Sequence, residues 1–199
     1  MTQKRLKGAE RRALFLDAAA EIVIEQGVEA VTMEGVALRT GVTKALGYRY
    51  FTDRDDLLGA LFDRENGMYV ERWNKLLPRD APFDEWVRGA LRLWFLRADE
   101  RGELFMRLVS DNGRLAEKAK ALQAQNVQAW AAGVERAYRL PKPVALHLAW
   151  FMVAGTAGAL AARDGDDEAL IDTIVFAIVS AAEALQARHG ATRPAKKAS

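Results

Sequence analysis

The chain has 199 residues, half of them apolar and 28% charged, the profile of a globular protein able to bury a core in one domain or two. It has no Cys and two His, which excludes disulfide frameworks, cysteine–zinc sites, thiol nucleophiles and histidine-rich metal centres. A net charge of +2 argues against binding nucleic acid by bulk attraction, so the placement of the charges has to decide that question.

Apolar residues recur at helical spacing along nearly the whole chain, and no alternating run marks a strand. The expected fold class is all-α, with about nine helices. The segment from Met1 to Arg12 is basic, but Ala13 to Ile24 contains Asp17 and Glu21, so no signal-peptide core follows and a cytoplasmic protein is expected. The first helix is predicted from about Ala9 to Gln26. Phe15, Ala18, Ala19, Ile22 and Val23 form its buried face, Asp17, Glu21 and Glu25 its polar one, and Gly27 its stop. A short helix follows, capped by Thr32 and stopped by Gly41, then another from about Lys44 to Tyr50, capped by Thr43. Asp53 caps a long helix that runs to about Leu77, where Pro78 and Pro82 break the chain. Five more are predicted at roughly 83–99, 102–110, 114–139, 143–162 and 167–188, divided by Gly102, Asp111-Asn112-Gly113, Pro141 with Pro143, and Arg163-Asp164-Gly165.

Two short helices joined by a glycine-containing turn suggest a helix-turn-helix. Ala37 allows close approach, Gly41 supplies the turn, and Val42 plugs the angle behind it. The second helix would lie in the major groove. Between Gly35 and Thr52 the chain carries Arg39, Lys44 and Arg49 and no acid, with Tyr48 and Tyr50 interleaved. Such side chains can bond phosphate oxygens or guanine edges.

These residues, with Phe15-Leu16-Asp17-Ala18-Ala19, Gly27, Ala30-Val31-Thr32-Met33, Val36-Ala37, Gly41-Val42-Thr43-Lys44, Tyr48-Arg49-Tyr50-Phe51 and Arg54-Asp55-Asp56-Leu57, resemble the TetR family of transcriptional regulators. The resemblance covers roughly Arg12 to Leu61. It implies DNA-binding residues Thr32, Thr43, Lys44, Ala45, Leu46, Tyr48, Arg49, Tyr50 and Arg54. Each has a plainer alternative. Thr43 is a phosphate contact or only a cap. Leu46 meets a thymine methyl or packs inward beside Gly47. Tyr48 or Tyr50 faces DNA or the core. Arg54 clamps a phosphate or pairs with an acid in the loop. Gly47 departs from the aliphatic residue usual in the family, which would loosen the recognition helix by about 1 kcal/mol relative to alanine. Lys4, Arg5, Lys7, Arg11 and Arg12 form a basic arm that could reach the minor groove.

The expected domains are 1–55 for DNA binding, 56–189 for effector binding and dimerisation, and 190–199 as a disordered basic tail. Val144 to Ala162 is nineteen residues without a charge, long enough for a membrane span, but its partner Ile171 to Leu185 contains Asp172 and Glu183. A buried helix pair fits better than a membrane hairpin. Ala154, Gly158 and Ala162 recur every fourth residue, as do Ala157 and Ala161, permitting close approach of another helix. By resemblance, the helices at about 143–162 and 167–188 form a homodimer, which implies a palindromic operator. The resemblance also implies a mainly apolar effector pocket, for which Trp94, Phe105, Asn126, Trp130, His147 and Phe151 are the candidates, with Thr156 at its edge. No metal, cofactor or catalytic residue is expected: a serine triad would need Ser110 or Ser180 beside His147. The reading is a ligand-responsive repressor that a small apolar molecule releases from DNA. Its rivals are a small-molecule-binding helical protein or a membrane hairpin protein without DNA binding.

Overall fold

The computed structural model describes residues 8–77, 80–111, 113–161, 163 and 165–190. Lys4, Arg5 and Lys7 of the expected arm, the tail from 191 onward, Pro78, Asn112, Ala162 and Asp164 lie outside them. Among the described residues there are eight α-helices and no strand: α1 Gly8–Gln26, α2 Met33–Thr40, α3 Lys44–Gly47, α4 Arg54–Leu76, α5 Phe83–Val109, α6 Ala116–Tyr138, α7 Lys142–Ala161 and α8 Asp167–Gly190, with a 3-10 turn at Val28–Ala30. The helices expected at 83–99 and 102–110 are one. Gly102 sits inside α5 in ordinary contact with Ala98, 3.6 Å from where a Cβ would stand, and the helical pairing around it outweighs the weak propensity of a single glycine.

The described residues group into two compact units. The first takes residues up to 71 together with 98–119, and the second takes 72–97 with 120 onward. The first unit is therefore discontinuous in sequence.

In the first unit, α1 buries Phe15, Leu16, Ala18, Ala19, Ala20, Ile22 and Val23 along one face. Phe15 meets Phe51 edge-on at 6.1 Å, and Val31, Val36 and Leu57 are also fully buried. Phe62 and Phe105 lie 6.4 Å apart. The buried carboxylate of Glu65 accepts from Arg101 Nε and Nη2 at 3.0 and 2.7 Å and from Arg64 Nη2 at 3.1 Å. Leaving such a buried carboxylate without its cationic partners would cost roughly 3–5 kcal/mol.

In the second unit, Val87, Leu91 and Phe95 of α5 pack with Val127, Ala131 and Val134 of α6 and with Ala145, Leu148, Ala149 and Met152 of α7. Ile171, Val175, Ile178 and Ala182 of α8 complete that core. The buried residues of α7 and α8 recur at three and four, so each helix turns one side inward. Arg92 Nη2 meets Glu168 at 2.6 Å, and Arg88 pairs with Asp172, joining α5 to α8 at the surface.

Candidate functional site

The helix-turn-helix is set by local chemistry. Thr32 Oγ1 accepts the Gly35 N–H at 2.9 Å and caps α2. Gly41 closes α2 at φ 68°, in the left-handed region that penalises a Cβ. Val42 N–H then donates to Ala37 O at 3.0 Å, which fixes the turn before α3. α3 is one helical turn, Lys44–Gly47, shorter than the predicted run to Tyr50. Beyond Gly47 the chain tightens: Arg49 and Tyr50 donate to carbonyls three residues back, at 3.2 and 3.0 Å. Asp53 Oδ1 accepts from Asp56 N–H at 2.8 Å while Asp56 Oδ2 accepts from Thr52 N–H at 2.9 Å, a reciprocal cap that starts α4.

Gly47 is buried for a packing reason. A Cβ there would stand 3.2 Å from Met33 Cε and 3.3 Å from Phe15 Cε1. Phe15 and Met33 thus occupy the space expected for Leu46, and Leu46 is half-buried.

Thr43, Lys44, Ala45, Tyr48 and Arg49 are all exposed around this short helix. Thr43 caps α3 through its backbone, and its hydroxyl makes no cap hydrogen bond. Lys44 pairs with Glu34 of α2, and its ammonium lies 5.6 Å over the Tyr48 ring. Tyr50 is half-buried, 5.9 Å from Phe15. Leu38 on α2 is 84% exposed, an apolar residue with no charge to mark it in the sequence. Its position on the outer face of the first helix of the motif was the available signal.

Two arginines differ from expectation. Arg54 Nε donates to Val31 O at 2.8 Å, and its Nη2 donates to Val28 O at 2.9 Å and Glu29 Oε2 at 3.1 Å. The expected phosphate clamp is instead bound to the 3-10 turn, at Val31 O and at Val28 O, the latter also accepting the Val31 N–H at 3.2 Å. Arg39 donates to Glu25 at 2.8 and 2.6 Å and to Glu21 at 3.2 Å. The hydrogen bond to Glu25 leads in holding this guanidinium above its ordinary range, and the reciprocal bond holds the Glu25 carboxyl below its own. Arg12, expected in the arm, lies in α1 with its guanidinium 5.0 Å over the Phe51 ring.

The expected ligand residues divide between the two units and, within the second, between core and surface. Phe105 belongs to the first unit and packs on Phe62. Asn126 and His147 are exposed, and Phe151 is 69% exposed. His147, Trp150, Phe151 and Ala154 share the outward side of α7, because its inward positions go to Ala145, Leu148, Ala149, Met152 and Thr156. Thr156 donates to Met152 O at 2.7 Å, within its own helix. Trp94 is half-buried against the core.

A cavity of about 960 Å³ does exist, lined entirely by the second unit. Trp73, Phe83, Trp86 and Tyr138 supply aromatic wall. Trp86 meets Trp73 edge-on at 5.4 Å and Trp130 at 4.7 Å, so Trp130 backs the wall without lining it. Ala129, Ala132, Gly133 and Ala137 of α6 leave the space open. Asp80, Asp84, Glu183 and Arg136 carry its charge.

Residues 15–61 match the model for bacterial regulatory proteins of the tetR family. The chain is 28% identical over 123 residues to the HTH-type transcriptional activator FasR of Mycolicibacterium smegmatis, covering 61% of this chain and 55% of that one. It is 31% identical over 85 residues to the fatty acid metabolism regulator protein of Bacillus subtilis, covering 43% and 42%. The chain thus spans about half the length of the curated relatives it matches. The fold is similar to that of the transcriptional regulator FadR from Bacillus subtilis in complex with stearoyl-CoA, with a TM-score of 0.67, 19% identity, and 84% and 97% of the two chains covered. The helix-turn-helix geometry at Thr32 to Phe51 lies inside the segment that matches the model for bacterial regulatory proteins of the tetR family.

Proposed function

We propose that the protein is a ligand-responsive DNA-binding transcriptional regulator, acting in the cytoplasm as a homodimeric repressor on a palindromic operator. The observation that carries this reading is the exposed group Thr43, Lys44, Ala45, Tyr48 and Arg49, on and flanking one short helix held by a capped turn. Thr43 and Tyr48 offer hydroxyls to phosphate, Lys44 and Arg49 offer charge to phosphate or guanine, and Ala45 offers a methyl to thymine. Arg39 and Arg54, held by protein acceptors, build the domain and do not contact DNA.

The dimer is read from α7 and α8. Phe151 and Phe176 are 69% and 75% exposed, and Ala154, Gly155, Gly158, Thr173 and Ala177 lie exposed beside them. An uncovered face of this size and character on two neighbouring helices supports a second copy as its cover. The stretch Lys142–Leu160 is also long and apolar enough to cross a membrane. A membrane hairpin predicts recovery in the membrane fraction, whereas the dimer stays in the supernatant.

The effector is read as a small molecule with large apolar surface, held in the cavity of the second unit. A preference of about 3 kcal/mol for the non-binding state would lower operator affinity on the order of 100-fold. The relatives are named as regulators, and no catalytic role is proposed. The test is fluorescence anisotropy with DNA from upstream of the protein's own gene. Wild type should bind a palindromic segment, and the pair Lys44→Ala with Arg49→Ala should lose it while remaining folded. Equal binding by this variant removes the assignment.

A further inference from the structure

The cavity of the second unit has a chemistry of its own. Its wall is aromatic, with Phe83 stacked on Trp86 at 6.0 Å and edge-on to Tyr138 at 5.2 Å. Its lining carries three carboxylates, on Asp80, Asp84 and Glu183, against one guanidinium, on Arg136. Arg88, Arg92 and Arg163 of the same unit are bound to Asp172, Glu168 and Asp167, but none of the three cavity carboxylates has an ion pair among the described residues. Burial pushes the Tyr138 phenol up, and the charges of Glu183 and Asp84 push it further the same way. Both carboxylates therefore project negative potential onto an aromatic ring of the wall.

We propose that this cavity binds an organic cation, a quaternary ammonium group carrying an apolar body. Ring faces attract such a cation through their quadrupole, and the carboxylates add direct attraction at longer range. An ammonium that cannot donate hydrogen bonds sacrifices little hydration on entering, so rings and nearby charge suffice without a tight ion pair. A volume of about 960 Å³ accommodates a drug-sized molecule beside the head group. The same charges oppose an anionic ligand: the stearoyl-CoA held by the Bacillus subtilis relative carries phosphates, opposite in sign to what this lining favours. Asp84 has a second role, since it lies in the first turn of α5 and suits the positive end of that helix. Glu183, near the middle of the last three turns of α8, has no such role.

The inference deepens the proposed function by naming the effector class at its cavity, and it can fail alone, because binding is measured on the full chain without DNA. Isothermal titration calorimetry compares three probes of similar shape: phenyltrimethylammonium, neutral tert-butylbenzene and anionic 4-tert-butylbenzoate. The cation should bind roughly tenfold more tightly than the neutral probe, with the anion weakest. In the double variant Asp84→Asn with Glu183→Gln, that preference should shrink to about threefold or less, with neutral binding held. Ala132→Trp, at an exposed α6 position lining the cavity, should abolish binding of all three. Thermal melts monitored by circular dichroism establish that each variant is folded. The proposal is overturned if the neutral or anionic probe binds as tightly as the cation, if the cation does not bind, if its preference survives in the double variant, or if folded Ala132→Trp binds normally. Loss of the DNA-binding reading with cation selectivity intact would remove the regulator and leave the cavity's assignment standing.

Discussion

Arg39 on α2 and Glu25 on α1 face each other through two parallel hydrogen bonds, 2.8 and 2.6 Å long, with Glu21 accepting a third at 3.2 Å. The folded Glu25 carboxyl is held below its ordinary value of 4.5, first by that hydrogen bond from Arg39. Its stabilising contribution is therefore complete above that value and is lost as pH falls below it. Glu168, held low by Arg92, behaves in the same sense in the second unit. Urea midpoints should fall as pH drops from neutrality to about 3.5, and Arg39→Gln should flatten part of that slope. A variant whose pH slope matches wild type would show that the clasp contributes nothing.

Arg49 and Arg54 should separate function from stability. Arg49→Ala should leave the melting temperature nearly unchanged and reduce the salt dependence of operator binding by about one phosphate contact, a slope change of roughly 0.9. Arg54→Ala should cost about 2 kcal/mol in folding, because two carbonyl acceptors in the 3-10 turn lose a charged donor. Its salt slope should equal that of wild type. Denaturation curves and binding titrations on both variants decide the matter, and exchanged outcomes would restore Arg54 as a phosphate clamp.

Glu65→Ala should destabilise the protein by about 2 kcal/mol, since Arg64 and Arg101 lose a shared carboxylate and partly buried donors go unanswered. Glu65→Gln should cost less, because the amide oxygen still accepts. A neutral effect of Glu65→Ala in guanidinium denaturation would mean that both arginines find water at no penalty.

Gly47→Ala sets helix propensity against crowding. Alanine gains about 1 kcal/mol in a helix, whereas overpacking costs roughly 1–3 kcal/mol. Met33 Cε can move aside, but the Phe15 ring is buried between Tyr50 and Phe51. Crowding should win, and the thermal midpoint should drop. A rise would show that α3 was limited by its glycine.

Phe151→Glu should convert the dimer to monomer in sedimentation, because a charge would enter the proposed interface on α7. The helix itself should persist by circular dichroism. A sedimentation coefficient equal to wild type would move the dimer interface elsewhere.

Features governed by near neighbours were readable in the sequence. The α1 face of Phe15, Ala18, Ala19, Ile22 and Val23, the Thr32 cap and the Gly41 turn follow from helical period and backbone geometry, and the structure contains them all. Features set by distant partners were not. Arg39 adds to the positive charge of the acid-free stretch 35–52, and nothing local shows that Glu21 and Glu25, 18 and 14 residues earlier, accept from it. The ligand candidates were chosen by size and polarity, yet Phe151 and Phe105 go to a surface and to another core. Trp73 and Trp86, thirteen residues apart, meet edge-on and make the wall, a pairing that no local pattern shows.

The ion pair between Lys44 and Glu34 has a kinetic meaning for the proposed regulator. Any DNA that engages Lys44 must first displace a carboxylate already in place, whatever its base sequence. The penalty is shared by operator and random DNA alike, so it leaves the ratio of their affinities untouched. What it shortens is the residence on either, and random sequence makes up most of what a searching protein meets. A searcher that lets go sooner samples more of the chromosome per second, and Glu34 would tune the protein for speed of arrival. Glu34→Gln should lengthen non-specific dwell times in single-molecule tracking while the ratio of operator to random affinity stays constant.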